Sequence, residues 1–140
     1  MIQSITVRLS EETLERFRHG AGAARKPLEE FLVDRLVETV PPSVTELPSV
    51  LREELRALER MDDRTLRRLT RSRLPVERQR RYSRLLQKNA SGTLTAREQS
   101  QLEALGDEAR RITLKKAHAY LVLKWRGHAL PCREELVRSE

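Results

Sequence analysis

The sequence predicts a mainly α-helical protein that opens with one short β-strand. Apolar and polar residues alternate over 5–9, and apolar residues recur at helical spacing through most of the remaining chain. Alternation is typical of a half-buried strand, whereas steps of three and four residues are typical of an amphipathic helix. Three of the six prolines fall within residues 41–48. We therefore expect a strand and two helices over 1–40, a proline-rich linker over 41–48 and a basic helical domain over 49–140.

The predicted strand would place Ile5, Val7 and Leu9 on one face and Thr6 and Arg8 on the other. A strand needs a neighbour that satisfies its backbone N–H and C=O groups. The rest of the chain reads as helix and supplies no such neighbour.

The first helix is expected to begin after Ser10, which is a good N-cap, with the acidic pair Glu11–Glu12 in its first turn. Leu14 and Phe17 lie on one of its faces. Gly20 and Gly22 each cost about 1 kcal/mol relative to Ala inside a helix, so we expect the helix to weaken there.

The second helix is expected over 27–40, because Pro27 suits its first position and Pro41 stops it. Leu28, Phe31, Leu32 and Leu36 follow one another at steps of three, one and four and should form one continuous apolar face.

Four more helices are expected beyond the linker, over about 49–60, 63–72, 75–89 and 95–126. Asp62 or Asp63 is placed to cap the second of these, and residues 95–98, TARE, match the capping-box pattern at the start of the last. The last helix is unusually long, so an interruption is expected near Gly106 or Thr113.

A strand and two helices of about 40 residues are too small to bury a core alone, and oligomerisation is the usual remedy. Two copies of residues 3–9 could pair antiparallel across a two-fold axis. Their apolar face would then cover the helices, and Ser4, Thr6 and Arg8 would face outward. The chain is accordingly expected to form a homodimer through residues 3–9.

The stretch SITVRLSEETLERFRHGAGAARKPLEEFLVDRLVE resembles the ribbon-helix-helix family, the Arc/MetJ-like bacterial DNA-binding proteins. The resemblance covers residues 3–40 and implies an intertwined dimer whose two-stranded ribbon enters the DNA major groove. Ala24 and Lys26 stand where the family usually has a Gly-Arg turn and a Ser or Thr cap.

The same resemblance assigns DNA contacts to particular residues. Ser4, Thr6 and Arg8 would contact base edges, and Arg8 could make a bidentate contact to guanine. The start of the second helix would contact a phosphate, through Arg25, Lys26, Pro27 and Leu28.

Positive charge is concentrated in the C-terminal part of the chain. The whole chain carries +7, but residues 1–43 hold six Lys and Arg against seven Asp and Glu, and residues 64–88 hold ten basic residues and one acid. This face could be solvated and paired with acids elsewhere, contact DNA phosphates, or dock an acidic protein. The arginines concerned are Arg64, Arg67, Arg68, Arg71, Arg78, Arg80, Arg81 and Arg84.

Enzyme chemistry is poorly supported by the sequence. His19, His118 and His128 are scattered, no metal-ligand spacing or phosphate-binding glycine loop is present, and Cys132 is a single thiol. We expect no cofactor and no metal. Trp125 and Tyr120 are expected to pack in the core. No apolar run approaches the length of a membrane span, and a cytoplasmic protein is expected.

These patterns together predict a dimeric, sequence-specific transcriptional repressor that binds operator DNA. Ribbon-helix-helix proteins are often antitoxins, so the resemblance also implies that a toxin or other acidic protein binds the C-terminal helices. The alternative is an adaptor that does not bind DNA, in which residues 1–40 only dimerise and the helical domain binds a protein.

Overall fold

The structure is a computed structural model that describes residues 1–41 and 45–131. The chain divides into two compact units, Met1–Val40 and Pro41–Glu140, called here the N-terminal and C-terminal units. Six helices are present in the described ranges: α1 Glu11–Ala23, α2 Leu28–Thr39, α3 Ser49–Leu58, α4 Asp63–Leu69, α5 Val76–Ala90 and α6 Ala96–Trp125.

The predicted N-terminal strand is wrong, and with it the ribbon-helix-helix fold class of one strand and two helices, which requires that strand; dimerisation itself stays a prediction. The described residues are mainly α and contain no strand, and residues 1–10 have no regular secondary structure. Ile5 is 86% exposed and Val7 is 62% exposed. Alternation sets which side chains share a face, but a strand exists only where its backbone pairs with a second one. No segment in the described ranges offers that pairing.

Helix α1 begins as predicted and is not interrupted at its glycines. The Ser10 hydroxyl accepts a hydrogen bond from the Thr13 backbone N–H at 3.2 Å, and the helix continues through Gly20 and Gly22. A Cβ on Gly20 would lie 3.0 Å from Cζ of Phe31, whereas a Cβ on Gly22 would meet nothing within 4 Å. Gly20 therefore allows α2 to approach α1 closely, and Gly22 has no such role.

The turn between α1 and α2 depends on a left-handed residue. Arg25 has φ +54°, and the Lys26 N–H donates to the Ala21 carbonyl at 3.0 Å. The sequence predicts Pro27 at the first helical position of α2. In the structure Pro27 is the N-cap, and the helix begins one residue later, at Leu28.

The N-terminal unit buries very little. Ala21 is its one buried hydrophobic residue, although α1 and α2 pack against each other. Leu28, Phe31 and Leu32 are half-buried, but Leu36, expected on the same face, is 61% exposed. Leu36 instead belongs to a second apolar stripe at spacing i, i+3, i+4 and i+7, made of Val33, Leu36, Val37 and Val40, which are all exposed.

The C-terminal unit is organised by α6, which packs against α3, α4 and α5. One core cluster joins α3, α4 and the second half of α6, and consists of Leu55, Leu58, Leu66, Ala119, Val122 and Leu123. A second cluster joins α5 to the first half of α6, and consists of Leu85, Leu102 and Leu105. Leu66 and Leu55 are fully buried.

Helix α6 runs for 30 residues with no interruption, contrary to the expected break. Gly106 is buried, and a Cβ there would make only ordinary contacts, 3.4 Å from Arg110 Nη1 and 3.7 Å from the Tyr82 hydroxyl, so the packing does not require glycine at this position. The predicted capping box is present, since the Glu98 N–H donates to the Thr95 hydroxyl at 3.2 Å. Trp125 is 47% exposed, so its predicted place in the core is wrong.

None of the six helices has the length and apolar content needed to cross a membrane.

Candidate functional site

The three residues predicted to contact DNA bases lie together in the segment that precedes α1. Ser4, Thr6 and Arg8 are all exposed. Within the described ranges, Arg8 makes no hydrogen bond or ion pair. Its guanidinium is therefore available to an external anion or base edge, although no strand fixes its direction.

The residues predicted to contact a phosphate are less available. Lys26 Nζ donates to Asp34 Oδ2 at 2.6 Å, and this hydrogen bond raises the pKa of Lys26. Pro27 provides no side-chain cap, and Glu29 and Glu30 lie in the first turn of α2. A phosphate would have to displace Asp34 and approach two carboxylates, which opposes the favourable helix dipole.

Leu28 and Arg25 complete this predicted group. Leu28 is half-buried, whereas Arg25 is exposed at the turn. Arg25 is thus the one residue of the four that combines exposure with a positive charge not engaged by Asp34.

Three basic residues of α4, and Arg71 just after its end, are exposed to solvent. Arg64, Arg67, Arg68 and Arg71 are exposed, while Leu66 on the opposite face is fully buried. Arg67 Nη2 lies 3.3 Å from His128 Nδ1. The helix thus uses one face for the core and presents the other to solvent.

Pairing with distant acids accounts for only part of the charge over 64–88. Arg78 Nη1 lies 2.5 Å from Glu108 Oε1, and Lys88 Nζ lies 2.7 Å from Glu98 Oε2. Both acids belong to α6, so these two pairs help to fasten α5 to it. Six arginines of α4, α5 and the residues just after α4 have no side-chain hydrogen-bond or ion-pair partner in the described part of the chain: Arg64, Arg68, Arg71, Arg80, Arg81 and Arg84.

A groove lies where the α4–α5 connection and α5 meet the middle of α6, and we call it the α5–α6 groove. It encloses about 550 Å³ and is lined by Ser72, Arg73, Leu74, Val76, Gln79, Arg80, Ala109, Ile112, Thr113 and Lys116. Three of these residues are basic and none is acidic. The sequence prediction included Arg80 but missed the groove, because its walls come from two segments, 72–80 and 109–116, that are distant in sequence.

A polar cluster fastens the end of α6 to the start of α4. Asp63 accepts from Arg126 Nη1 at 2.8 Å on Oδ1, and His128 Nε2 lies 2.5 Å from Oδ2. These partners, Arg126 first, lower the pKa of Asp63. Asp62 is the N-cap of α4, accepting from the Thr65 N–H at 3.1 Å. The Asp62–Asp63 pair thus serves capping and packing.

The three histidines have different environments. His19 is exposed, His118 is buried, and His128 is half-buried beside Asp63. His118 Nε2 lies 3.6 Å from Glu59 Oε1 and makes no hydrogen bond within the described ranges. Over those ranges, no three His, Cys, Asp or Glu residues are grouped so that they could hold a metal ion. Cys132 lies outside the described residues.

Comparison with known proteins gives no relative for this chain. No family model, curated protein or solved structure matches it. The features of this chain that bear on its function are therefore the exposed residues of the N-terminal unit and the basic surface of the C-terminal unit.

Proposed function

We propose that this chain is a cytoplasmic, homodimeric, sequence-specific DNA-binding repressor. It dimerises through residues 1–40 and contacts base edges through Arg8, with Thr6 and Ser4 beside it. One observation carries the proposal. The N-terminal unit exposes apolar side chains that it cannot cover, and they alternate with exposed polar side chains in the same short segment.

The small size of the N-terminal unit favours a dimer. Domains below about 40 residues usually need disulfides, metals or oligomerisation to be stable, and the N-terminal unit buries one hydrophobic residue. Its exposed apolar side chains form two groups, the segment before α1 and the second stripe of α2. Apart from Met1 and Ile2 at the first two positions, they are Ile5, Val7, Leu9, Val33, Leu36, Val37 and Val40.

The area of this surface suits a second copy of the chain. If each of the seven side chains offers roughly 60 Å² of apolar area, together they offer on the order of 400 Å². A standard interface buries about 800 Å² per partner, of which about 60% is apolar. The seven side chains therefore offer most of the apolar area that one partner contributes to a standard interface.

A two-fold dimer suits DNA with two-fold symmetry, because each copy presents the same side chains to one half-site. Arg8 supplies the donor pair that matches O6 and N7 of guanine, and Thr6 can donate, accept or touch a thymine methyl group. These are contacts that distinguish one base pair from another.

The arginines of the C-terminal unit would add affinity that does not depend on sequence. Arg68, Arg71, Arg80, Arg81 and Arg84 have no partner in the described part of the chain, and cations that neutralise phosphates release bound counterions. Affinity should then fall steeply as salt concentration rises.

The decisive experiment removes the proposed base contact. The full-length protein is used to select duplexes from a random library, and the dissociation constant of the best duplex is measured for wild type and Arg8→Ala. We expect a loss of about 1–3 kcal/mol and relaxed preference at one position in each half-site.

Arg18→Ala is the matched control for that experiment. Arg18 is an exposed arginine of α1, so the variant removes the same charge from the same unit. The assignment to Arg8 is wrong if both variants lose the same affinity with no change in preference.

A separate experiment tests the dimer. Leu36→Glu places a charge on the exposed α2 stripe, and light scattering should show a dimer for wild type and a monomer for the variant. Leu86→Glu, at a 44% exposed position of α5, should leave the dimer intact. A monomeric wild type at micromolar concentration would rule out the dimer.

The adaptor remains the second candidate, and the turn between α1 and α2 is the observation that favours it. The Lys26–Asp34 ion pair and the carboxylates of Glu29 and Glu30 do not suit a phosphate contact. A dimer that selects no duplex from the library would support the adaptor. A toxin as the partner of the C-terminal unit stays a prediction.

A further inference from the structure

The α5–α6 groove has an apolar floor that neither core cluster uses. Leu74 and Ile112 are half-buried, and Val76 is 65% exposed at the first position of α5. In the described ranges these three side chains belong to neither cluster. The middle of α6 therefore exposes apolar area between the two places where the unit is well packed.

The rim of the groove is positive. Arg73, Arg80 and Lys116 line it, and its described lining contains no Asp or Glu. A neighbouring depression of about 510 Å³ shares Arg80, extends along α5 to Arg84 and is also lined by Glu77. Within the described ranges Arg80 and Arg84 form no ion pair, so Glu77 lowers the positive charge along this edge without pairing with either arginine.

A third depression provides a contrast. It encloses about 420 Å³ and is lined partly by Val50, Asp107 and Arg110. Asp107 and Arg110 form an ion pair with each other. That depression also has an exposed valine, since Val50 is 64% exposed, but its charge is internally balanced. Among these three, the α5–α6 groove is the one whose described lining combines apolar side chains with basic residues and no carboxylate.

We propose that the α5–α6 groove binds an acidic amphipathic helix of a partner protein. The helix would place apolar side chains, spaced three and four residues apart, on Leu74, Val76 and Ile112. Its Asp and Glu side chains would lie against Arg80 and Lys116. This binding activity goes beyond DNA recognition and uses residues distant in sequence from Arg8.

The apolar floor is what favours a protein over nucleic acid. Phosphates need only cations and N–H donors, and a duplex backbone gains nothing from an exposed Val or Ile. Burying Val76 and Ile112 against another side chain, in contrast, removes apolar area from water. An acidic amphipathic helix can contact the apolar floor with its apolar side chains and the basic rim with its carboxylates.

The test uses the full chain and a labelled synthetic peptide. The peptide has Leu at positions spaced three, four and seven residues apart and Glu on the flanking positions, and a scrambled peptide has the same composition without the apolar face. Fluorescence anisotropy should show saturable binding of the first and at least about tenfold weaker binding of the second.

Two variants and two matched controls locate the binding. Val76→Asn should weaken binding about tenfold through the floor, and Arg80→Glu/Lys116→Glu should abolish it through the rim. Val50→Asn changes an equally exposed valine near a helix start, and Arg97→Glu reverses an exposed charge at the start of α6. Both controls should bind the peptide as wild type does, and circular dichroism should show unchanged helix content in all four.

Two results would overturn the proposal. Equal binding of the scrambled peptide, or unchanged binding by Val76→Asn, would assign the groove to charge alone, as expected for a surface that contacts nucleic-acid phosphates. Arg8→Ala should bind the peptide as wild type does. The proposed base contact of Arg8 and the groove proposal therefore fail independently of each other, whereas Arg80 belongs both to the groove and to the arginines proposed to contact phosphates.

Discussion

The two units of this chain are both helical, but they are stabilised differently. The C-terminal unit contains nine of the ten buried hydrophobic residues of the described chain, and the N-terminal unit contains only Ala21. Ion pairs differ in a similar way. Those of the N-terminal unit join residues close in sequence, such as Arg35 and Glu38. The C-terminal unit has one pair within α6, Asp107 with Arg110, but others join distant helices, such as Arg111 with Glu54.

This difference shows that helix formation and core formation are separate requirements. Caps and periodicity suffice to place α1 and α2, since Ser10 caps the first and the acidic residues at each start favour the dipole. They do not provide a core. A unit with helices but almost no buried side chains gains stability when a second surface covers its exposed apolar side chains, and this is the physical basis for proposing the dimer.

The largest expected effect comes from removing a core side chain of the C-terminal unit. Leu66→Ala should lower the free energy of unfolding by about 2–5 kcal/mol, because it leaves a cavity in a fully packed site. Urea unfolding at a low and a high protein concentration should give the same loss. Leu36→Ala, in contrast, should cost stability that depends on concentration. If the stability lost in Leu36→Ala does not depend on protein concentration, Leu36 does not lie in a dimer interface.

A smaller effect is expected at the capping box of α6. Thr95→Ala removes the acceptor of the Glu98 N–H and should cost about 1 kcal/mol in urea unfolding. Ser100→Ala is the control, because its hydroxyl bonds only to the Ala96 carbonyl within the helix. That change should stay within about 0.5 kcal/mol. Equal costs would show that the cap does not stabilise the C-terminal unit.

The two glycines of α1 offer a finer test on the N-terminal unit. Gly22→Ala should stabilise α1 by up to about 1 kcal/mol, seen as amide hydrogen exchange slowed by about fivefold. Gly20→Ala should gain less, because its Cβ would press on the Phe31 ring at 3.0 Å. If both variants exchange equally slowly, the close approach of α2 to α1 is not a constraint.

The smallest effect is expected at Asp63, whose side chain is half-exposed. Its pKa lies below the ordinary value near 3.8, because Arg126 and His128 hydrogen-bond to the carboxylate. The stability it contributes is therefore present above about pH 4 and is lost as pH falls through the folded-state pKa. Asp63→Asn should lower the Tm at pH 7, and the two melting curves should converge in strong acid. A constant Tm difference at all pH values would exclude this carboxylate as the cause.

The sequence is sufficient to predict where the helices begin and end along the chain, but not which segments pack against them. Ser10, Thr95 and the prolines act within one turn of chain, so helix ends were predicted to within a few residues. The exposure of Leu36 and Trp125 depends on what packs beside them, which periodicity does not contain. The strand failed for the same reason, since alternation does not supply a pairing edge.

The candidate sites divide in the same way. Arg8 and the α4 arginines can be proposed as site residues from sequence alone, because the residues of each group are neighbours in sequence or lie one helical turn apart. The α5–α6 groove was not found, because Leu74, Arg80 and Ile112 come together only when α5 packs on α6. Lys26 was found, but its engagement by Asp34 is a tertiary contact that the cap pattern does not predict.

Helix α6 contributes to both core clusters, with Leu102 and Leu105 in one and Val122 and Leu123 in the other. Each residue of an α-helix advances the chain by 100° around its axis and by 1.5 Å along it. One residue added between the clusters would thus turn one apolar face away from its partner helices. The stretch over 107–117 is constrained in length and angular phase, even at positions where its side chains are free to vary.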